Sequence, residues 1–225
     1  MAHLGKAEIV DLSHVIEDGM VTYKGLPGPH ICDFWEREGT AVNYDDGSTF
    51  QIGRIEMVAN TGTYLDSPFH RYADGKDLAG LPLRSLADLP GLVVRCPHTD
   101  GVAIEAKDFE GLEVQGCAVL IHTGWDEHWR TDEYFGRHPF LTAGAADWLA
   151  ESGAAIVGID SCNIDDMHVR VRPVHTRLLG AEIPICEHMR GLEQLPDSGF
   201  RFSAVPPKIV GMGTFPVRAF AVIGG

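Results

Sequence analysis

Apolar residues in this chain fall into short runs separated by Gly, Pro and polar clusters, and the length and period of each run predict its element. Residues 117–122 form an unbroken apolar run between Gly116 and Gly124, the pattern of a strand buried on both faces. Residues 154–159 form a second such run, ending in Asp160-Ser161. Between them, Thr142 is placed to N-cap a helix through residue 151, with Gly153 closing it. Further strands are predicted over 9–12, 51–59, 92–96, 183–186, 202–207 and 217–223. Residues 84–89 read as a helical turn closed by Pro90-Gly91, 103–109 as a turn or short helix, 176–179 as helix, and 191–195 as a turn. Residues 17–29, rich in Gly and Pro, read as loop. Strands alternating with helices predict an α/β fold with a mixed sheet. No repeat or linker divides the 225 residues, so one domain over 1–225 is expected.

Composition narrows the partners. Lys+Arg number 18 and Asp+Glu 32, a net charge of −14. That excess repels a phosphate backbone, and no basic stripe offsets it, so nucleic acid is excluded as a partner. No apolar stretch approaches the ~18–20 residues of a membrane span. The N-terminus lacks the basic-then-apolar order of a secretory signal. Five Cys without CxxC spacing point to free thiols in a reducing compartment. A cytoplasmic protein with no membrane contact is expected.

The densest chemistry lies in Asn60-Thr61-Gly62-Thr63-Tyr64-Leu65-Asp66-Ser67-Pro68-Phe69-His70. Pro68 between Asp66 and His70 disfavours a regular helix and predicts a bent loop at a strand end. A carboxylate and an imidazole there could share a metal or work as an acid/base pair; the plainer alternative is a helix-capping Asp66 and a surface His70. A second cluster holds His175 and Glu187. Glu187 follows an apolar run, which puts a carboxylate at a strand end, where α/β folds tend to place ligands. Alone, His175 reads as a helix cap or satisfied core histidine, and Glu187 as an ordinary surface acid. Asp160-Ser161 lacks a Gly-x-Ser-x-Gly elbow and reads as structural. His122, His128 and His138 lack ligand spacing and read as surface or packing residues. Cys162 and Cys186 read as buried and inert.

Taken together, these segments resemble the cyclase superfamily that includes bacterial kynurenine formamidases, isatin hydrolases and certain polyketide cyclases. Gly62, Thr63, Asp66, Pro68 and His70 fit its His-x-Gly-Thr-His-x-Asp-x-Pro-x-His signature. Val10-Asp11-Leu12-Ser13, Thr123-Gly124-Trp125, Val157-Gly158-Ile159-Asp160-Ser161, and His175 followed by Glu187 match in order. The resemblance implies a swivelling β/β/α-type domain, a homo-oligomer (dimer or tetramer) and a small-molecule substrate of aromatic or polyketide-like character. Asn60 and Tyr64 stand where two signature histidines would hold the first metal of two-metal members, so that site is expected to be weakened or absent. The equivalents of the second site remain: Asp66, His175 and Glu187 would hold one divalent ion, Zn²⁺ or Mn²⁺, with His70 as proton shuttle. Hydrolysis of a cyclic amide, lactone or aryl formamide is then implied, with Tyr64 and Asn60 donating to the oxyanion. The alternatives are metal-free cyclase chemistry by His70 and Asp66, and a non-catalytic small-molecule binder. Tyr23, Phe34, Phe215 and Arg172 are the implied substrate contacts; Trp35 and Phe50 are further aromatic candidates, and Arg170 and Arg177 could join Arg172 on an anionic group.

Overall fold

A computed structural model of the chain describes residues 7–224. Thirteen strands are present among them: β1 (Glu8–Asp11), β2 (His30–Trp35), β3 (Ile52–Glu56), β4 (Tyr64–Asp66), β5 (Leu89–Arg95), β6 (Ala103–Ile104), β7 (Ala118–His122), β8 (Phe140–Leu141), β9 (Ile156–Ile159), β10 (Ile185–Glu187), β11 (Ser198–Ser203), β12 (Thr214–Pro216) and β13 (Phe220–Ile223). The helices are α1 (Arg37–Thr40), α2 (Ala143–Glu151) and α3 (Pro173–Gly180). Nine strands make one sheet in the order β1-β13-β11-β5-β7-β9-β10-β4-β12. β5, β7, β9 and β10 run parallel at its centre, and the outer strands are antiparallel. The fold is α/β with a mixed sheet.

The period of two explains how this sheet carries two cores. Along β7, Val119 and Ile121 face the cluster that contains Ala145, Ala146 and Leu149 of α2 and Val174, Leu178 and Leu179 of α3. Ala118 and Leu120 face the other way, into a cluster with Leu65, Phe200, Phe202 and Ala221. Val10 of β1 and Leu65 of β4 share that second cluster although they lie near opposite edges of the strand order, so the sheet curls around it. Thr142 caps α2 as expected, its side chain accepting from Ala145 N–H. No helix among the described residues is long and apolar enough to cross a membrane, and all five cysteines are free thiols.

Three expectations change. Pro90-Gly91 does not close a turn; both residues lie inside β5. Pro90 precedes the stretch paired with β7, which starts at Gly91, where a missing N–H is tolerated. At Gly91 the ring of Phe200 lies so close that an added Cβ would meet it at 2.0 Å. The strand expected over 51–59 is shorter, fully exposed, and pairs only with β2 in a separate ribbon. The segment read as a bent loop contains β4, three buried residues between β10 and β12.

Candidate active site

Strand register assembles the centre of the site. In β4, Tyr64 and Asp66 share one face, while Leu65 points into the core. Tyr64 lies opposite Glu187 of β10, and Asp66 opposite Thr214 of β12. Directly opposed residues have adjacent side chains. Tyr64 Oη accordingly donates to Glu187 Oε2 at 2.7 Å, and Thr214 Oγ1 donates to Asp66 Oδ1. Glu187 Oε1 also accepts the Ile164 N–H at 2.7 Å.

His175 arrives from the first turn of α3. Asp165 accepts the N–H groups of Val174 and His175 at 2.8 and 3.0 Å, satisfying donors that a helix start leaves open. The same carboxylate lies 2.7 Å from His175 Nδ1. A carboxylate only accepts, so Nδ1 carries the proton and Nε2 faces the site. Asp66 Oδ2 and Glu187 Oε1 each stand 3.6 Å from that Nε2. Asp66 Oδ2 is buried with no hydrogen-bond partner.

This cluster is short of positive charge. Asp66, Asp165 and Glu187 converge, fully buried, on one imidazole. Burial raises the Glu187 carboxyl above its usual range. Burial alone would lower His175, but Glu187, Asp165 and Asp66 overcome it and push the imidazole up to about 10. Charge balance thus calls for a cation at Nε2, either a proton or a divalent ion. Ligand atoms ~2.1 Å from an ion at tetrahedral angles stand about 3.4 Å apart, close to the 3.6 Å separations measured. The partnerless Asp66 Oδ2 and His175 Nε2 therefore suit one divalent ion, with Glu187 Oε1 at the same distance from that nitrogen.

His70 stands at the mouth, its side chain 36% exposed. It ends the turn Pro68–His70 that follows β4. Its Nδ1 is 2.8 Å from Thr214 Oγ1. Thr214 has one hydroxyl proton, committed to Asp66, so Oγ1 accepts from Nδ1–H and His70 Nε2 keeps a free lone pair. One donor atom each from Asp66, His70 and His175 lies within 4.8 Å of the others.

A cleft of about 270 Å³ opens over this centre, lined by Tyr23, Asn60, Tyr64, Asp66, His70, Arg172, His175 and Glu187, together with Leu26, Arg71 and Asn163. Tyr23 Oη accepts from Asn163 Nδ2 at 3.3 Å and lies 2.6 Å from Met167 Sδ. Arg172 Nη1 donates to the carbonyls of Asp166, Val169 and Val171. Two expected contacts lie elsewhere. Phe34 sits on the exposed ribbon, stacked with Trp35, and Phe215 packs against the core, opposite Leu65. Trp35 and Phe50 belong with the ribbon aromatics, and Arg177 pairs with Asp147. Tyr64 is turned to Glu187, so its proton is not free for an oxyanion while that bond stands.

His188, Tyr134, Thr214 and Asp165 escaped the sequence reading. His188 Nε2 lies 3.3 Å from Tyr64 Oη and its Nδ1 2.9 Å from Tyr134 Oη. Burial pushes His188 down to about 3 and holds both phenols well above their usual value. The chain Tyr134–His188–Tyr64–Glu187 is therefore neutral until it reaches the carboxylate. Position next to Glu187 was the one available signal for His188. Asp160, read as structural, accepts from Thr123 N–H, Thr123 Oγ1–H and Gly124 N–H, joining the ends of β7 and β9.

Comparison with known proteins follows the same line. Residues 10–166 match the Cyclase family model, described as "Putative cyclase". A kynurenine formamidase of Bacillus cereus is 25% identical over 215 residues, covering 95% of this chain and 96% of that relative. A predicted metal-dependent hydrolase from Bacillus stearothermophilus is 26% identical, with a TM-score of 0.77 over 97% of this chain and 99% of that one. Isatin hydrolase A from Labrenzia aggregata, bound to benzyl benzoate, shares the fold at a TM-score of 0.83 and 20% identity, covering 98% and 95% of the two chains. With β4, β5, β7, β9 and the Asp66–His70 segment inside the matched span, this chain belongs to the Cyclase family.

Proposed function

We propose that the protein is a metal-dependent hydrolase of a cyclic amide, lactone or aryl formamide. The observation that carries this is the buried, partnerless Asp66 Oδ2 facing His175 Nε2, which Glu187 Oε1 also approaches to 3.6 Å. The kynurenine formamidase and metal-dependent hydrolase relatives support the same reaction class. Asp66, His175 and Glu187 would hold the ion, with His70 beside them. Such an ion supplies Lewis acidity, polarising a carbonyl and acidifying water near neutral pH. His70 Nε2 takes the proton of the attacking water and returns it to the leaving nitrogen or oxygen. Thr214, whose proton is held by Asp66, keeps the His70 ring in the tautomer that this transfer needs. The Asn60 amide makes no side-chain hydrogen bond within the described residues and lines the cleft, so it is the donor available to a developing oxyanion. Tyr23 forms an aromatic wall, and the remaining guanidinium N–H groups of Arg172 suit a substrate carboxylate.

Metal analysis of the purified protein, with hydrolysis of N-formyl aryl amines and aryl-fused lactams, tests this reading. A stoichiometric ion lost in Asp66→Ala and Glu187→Ala, together with hydrolysis, supports it. No ion at this site under any loading condition overturns it and favours acid/base cyclase chemistry by His70 and Asp66. The free thiols support a cytoplasmic setting. The exposed apolar residues of the ribbon, Ile31, Phe34, Trp35, Ile52 and Ile55, support a homo-oligomer. Light scattering should give a dimer or tetramer mass, shifted toward monomer by Phe34→Ser with Trp35→Ser; a monomeric wild-type protein refutes it.

A further inference from the structure

Away from the cleft, three ligand-type side chains meet beyond the C-terminal ends of β5 and β7. His98 opens the turn His98–Asp100, and Glu127 and His128 end the turn Trp125–His128. One donor atom of each lies within 4.8 Å of the other two. Glu127 Oε1 is 3.4 Å from His98 Nε2 and 3.5 Å from His128 Nε2. The outer nitrogens are turned to acceptors, and one of them is hydrogen-bonded. His98 Nδ1 lies 3.1 Å from the Thr123 carbonyl, which only accepts, so Nδ1 carries a proton and Nε2 is the nitrogen turned to Glu127. His128 Nδ1 faces Glu133 Oε2 at 3.7 Å. Metal-ligating histidines commonly show this division, with one nitrogen turned to the ion and the other toward a carbonyl or carboxylate.

Preorganisation separates this cluster from ordinary surface ion pairs. Both rings pack on Trp125, with centroids 5.3 and 4.5 Å away, and their side chains are only 22% and 20% exposed. Glu127 is 61% exposed and leaves the fourth side open to water. None of the three lines the cleft.

We propose that His98, Glu127 and His128 form a second metal site, for a borderline transition ion of the Zn²⁺ class held by two imidazole nitrogens, one carboxylate oxygen and water. Its role is structural. The ion ties the turn after β5 to the turn after β7 and fixes Trp125, whose Nε1–H donates to the Tyr134 carbonyl at 3.0 Å. Tyr134 in turn starts the buried chain to Glu187.

The test is zinc stoichiometry by equilibrium dialysis at micromolar free Zn²⁺, on the full chain. Wild type should hold one zinc more than the His98→Gln/His128→Gln double variant, and Asp66→Ala should retain this zinc. Glu127→Gln, at a mostly exposed position, should bind it at least about tenfold more weakly. Ni²⁺ or Cu²⁺ should also quench tryptophan fluorescence in wild type and lose that component in the double variant. Equal zinc content in wild type and a folded double variant overturns the proposal. So does unchanged affinity in Glu127→Gln, which decides the matter if the double variant fails to fold.

Discussion

Thr214 and Asp165 set the protonation pattern of the site without facing a substrate themselves. Each fixes one histidine by occupying its Nδ1, so the two Nε2 atoms are the ones left for chemistry. The histidines then divide their work by exposure: His175 is buried among carboxylates, while His70 reaches the cleft mouth. His70→Ala should lower kcat by about 10²–10⁴-fold, the usual worth of a general base, with stability and bound metal unchanged. Loss of metal along with activity would refute the shuttle role. Asp165→Asn should weaken metal binding by about 10–100-fold, as expected when an outer partner of a ligating histidine is altered; competition against a chelator reads this directly. An unchanged affinity would mean that Asp165 serves α3 alone.

At the scale of elements, local patterns were readable where a run was long and apolar. β7, β9 and α2 follow from uninterrupted apolar residues and from Thr142 and Gly153 as start and stop signals. β4 and β12 were not, because three-residue strands carry too few positions to show a period. β5 was truncated in the sequence reading because Pro90-Gly91 is a turn signal. Here it answers to a neighbour instead, the Phe200 ring filling the space a side chain would take. Gly91→Ala should destabilise the fold by about 1–3 kcal/mol through overpacking, measured by denaturant unfolding. Gly91→Ala combined with Phe200→Leu should recover part of that loss; no recovery would place the cost in the backbone rather than in the ring.

For the whole molecule, pH acts through groups that burial keeps neutral. His14 stacks on Trp129; burial, with a smaller contribution from Arg190, pushes its pKa down to about 3. Below pH 6.5 the unfolded chain takes a proton that the folded chain refuses. Stability contributed by neutral His14 is thus full above about 6.5 and lost progressively as pH falls toward 3. Between pH 7 and 5 the loss should be about 1–2 kcal/mol smaller in His14→Gln than in wild type, allowing for partial exposure of the ring. Equal losses in the two proteins would assign the acid sensitivity to other groups. The net charge of −14 likewise acquires a location, since part of it is the buried trio Asp66, Asp165 and Glu187. What the sequence by itself determined was the α/β class, the strands and helix written in long local patterns, and, through the family resemblance, Asp66, His70, His175 and Glu187 as candidates, because residue type and order along the chain are legible without the fold. What only the tertiary structure decided was which partners they meet. Tyr64 bonds to a residue 123 positions away and Asp66 to one 148 positions away. Those pairings are set by the register of β4 between β10 and β12, and register comes from packing the whole sheet rather than from any neighbouring stretch of chain.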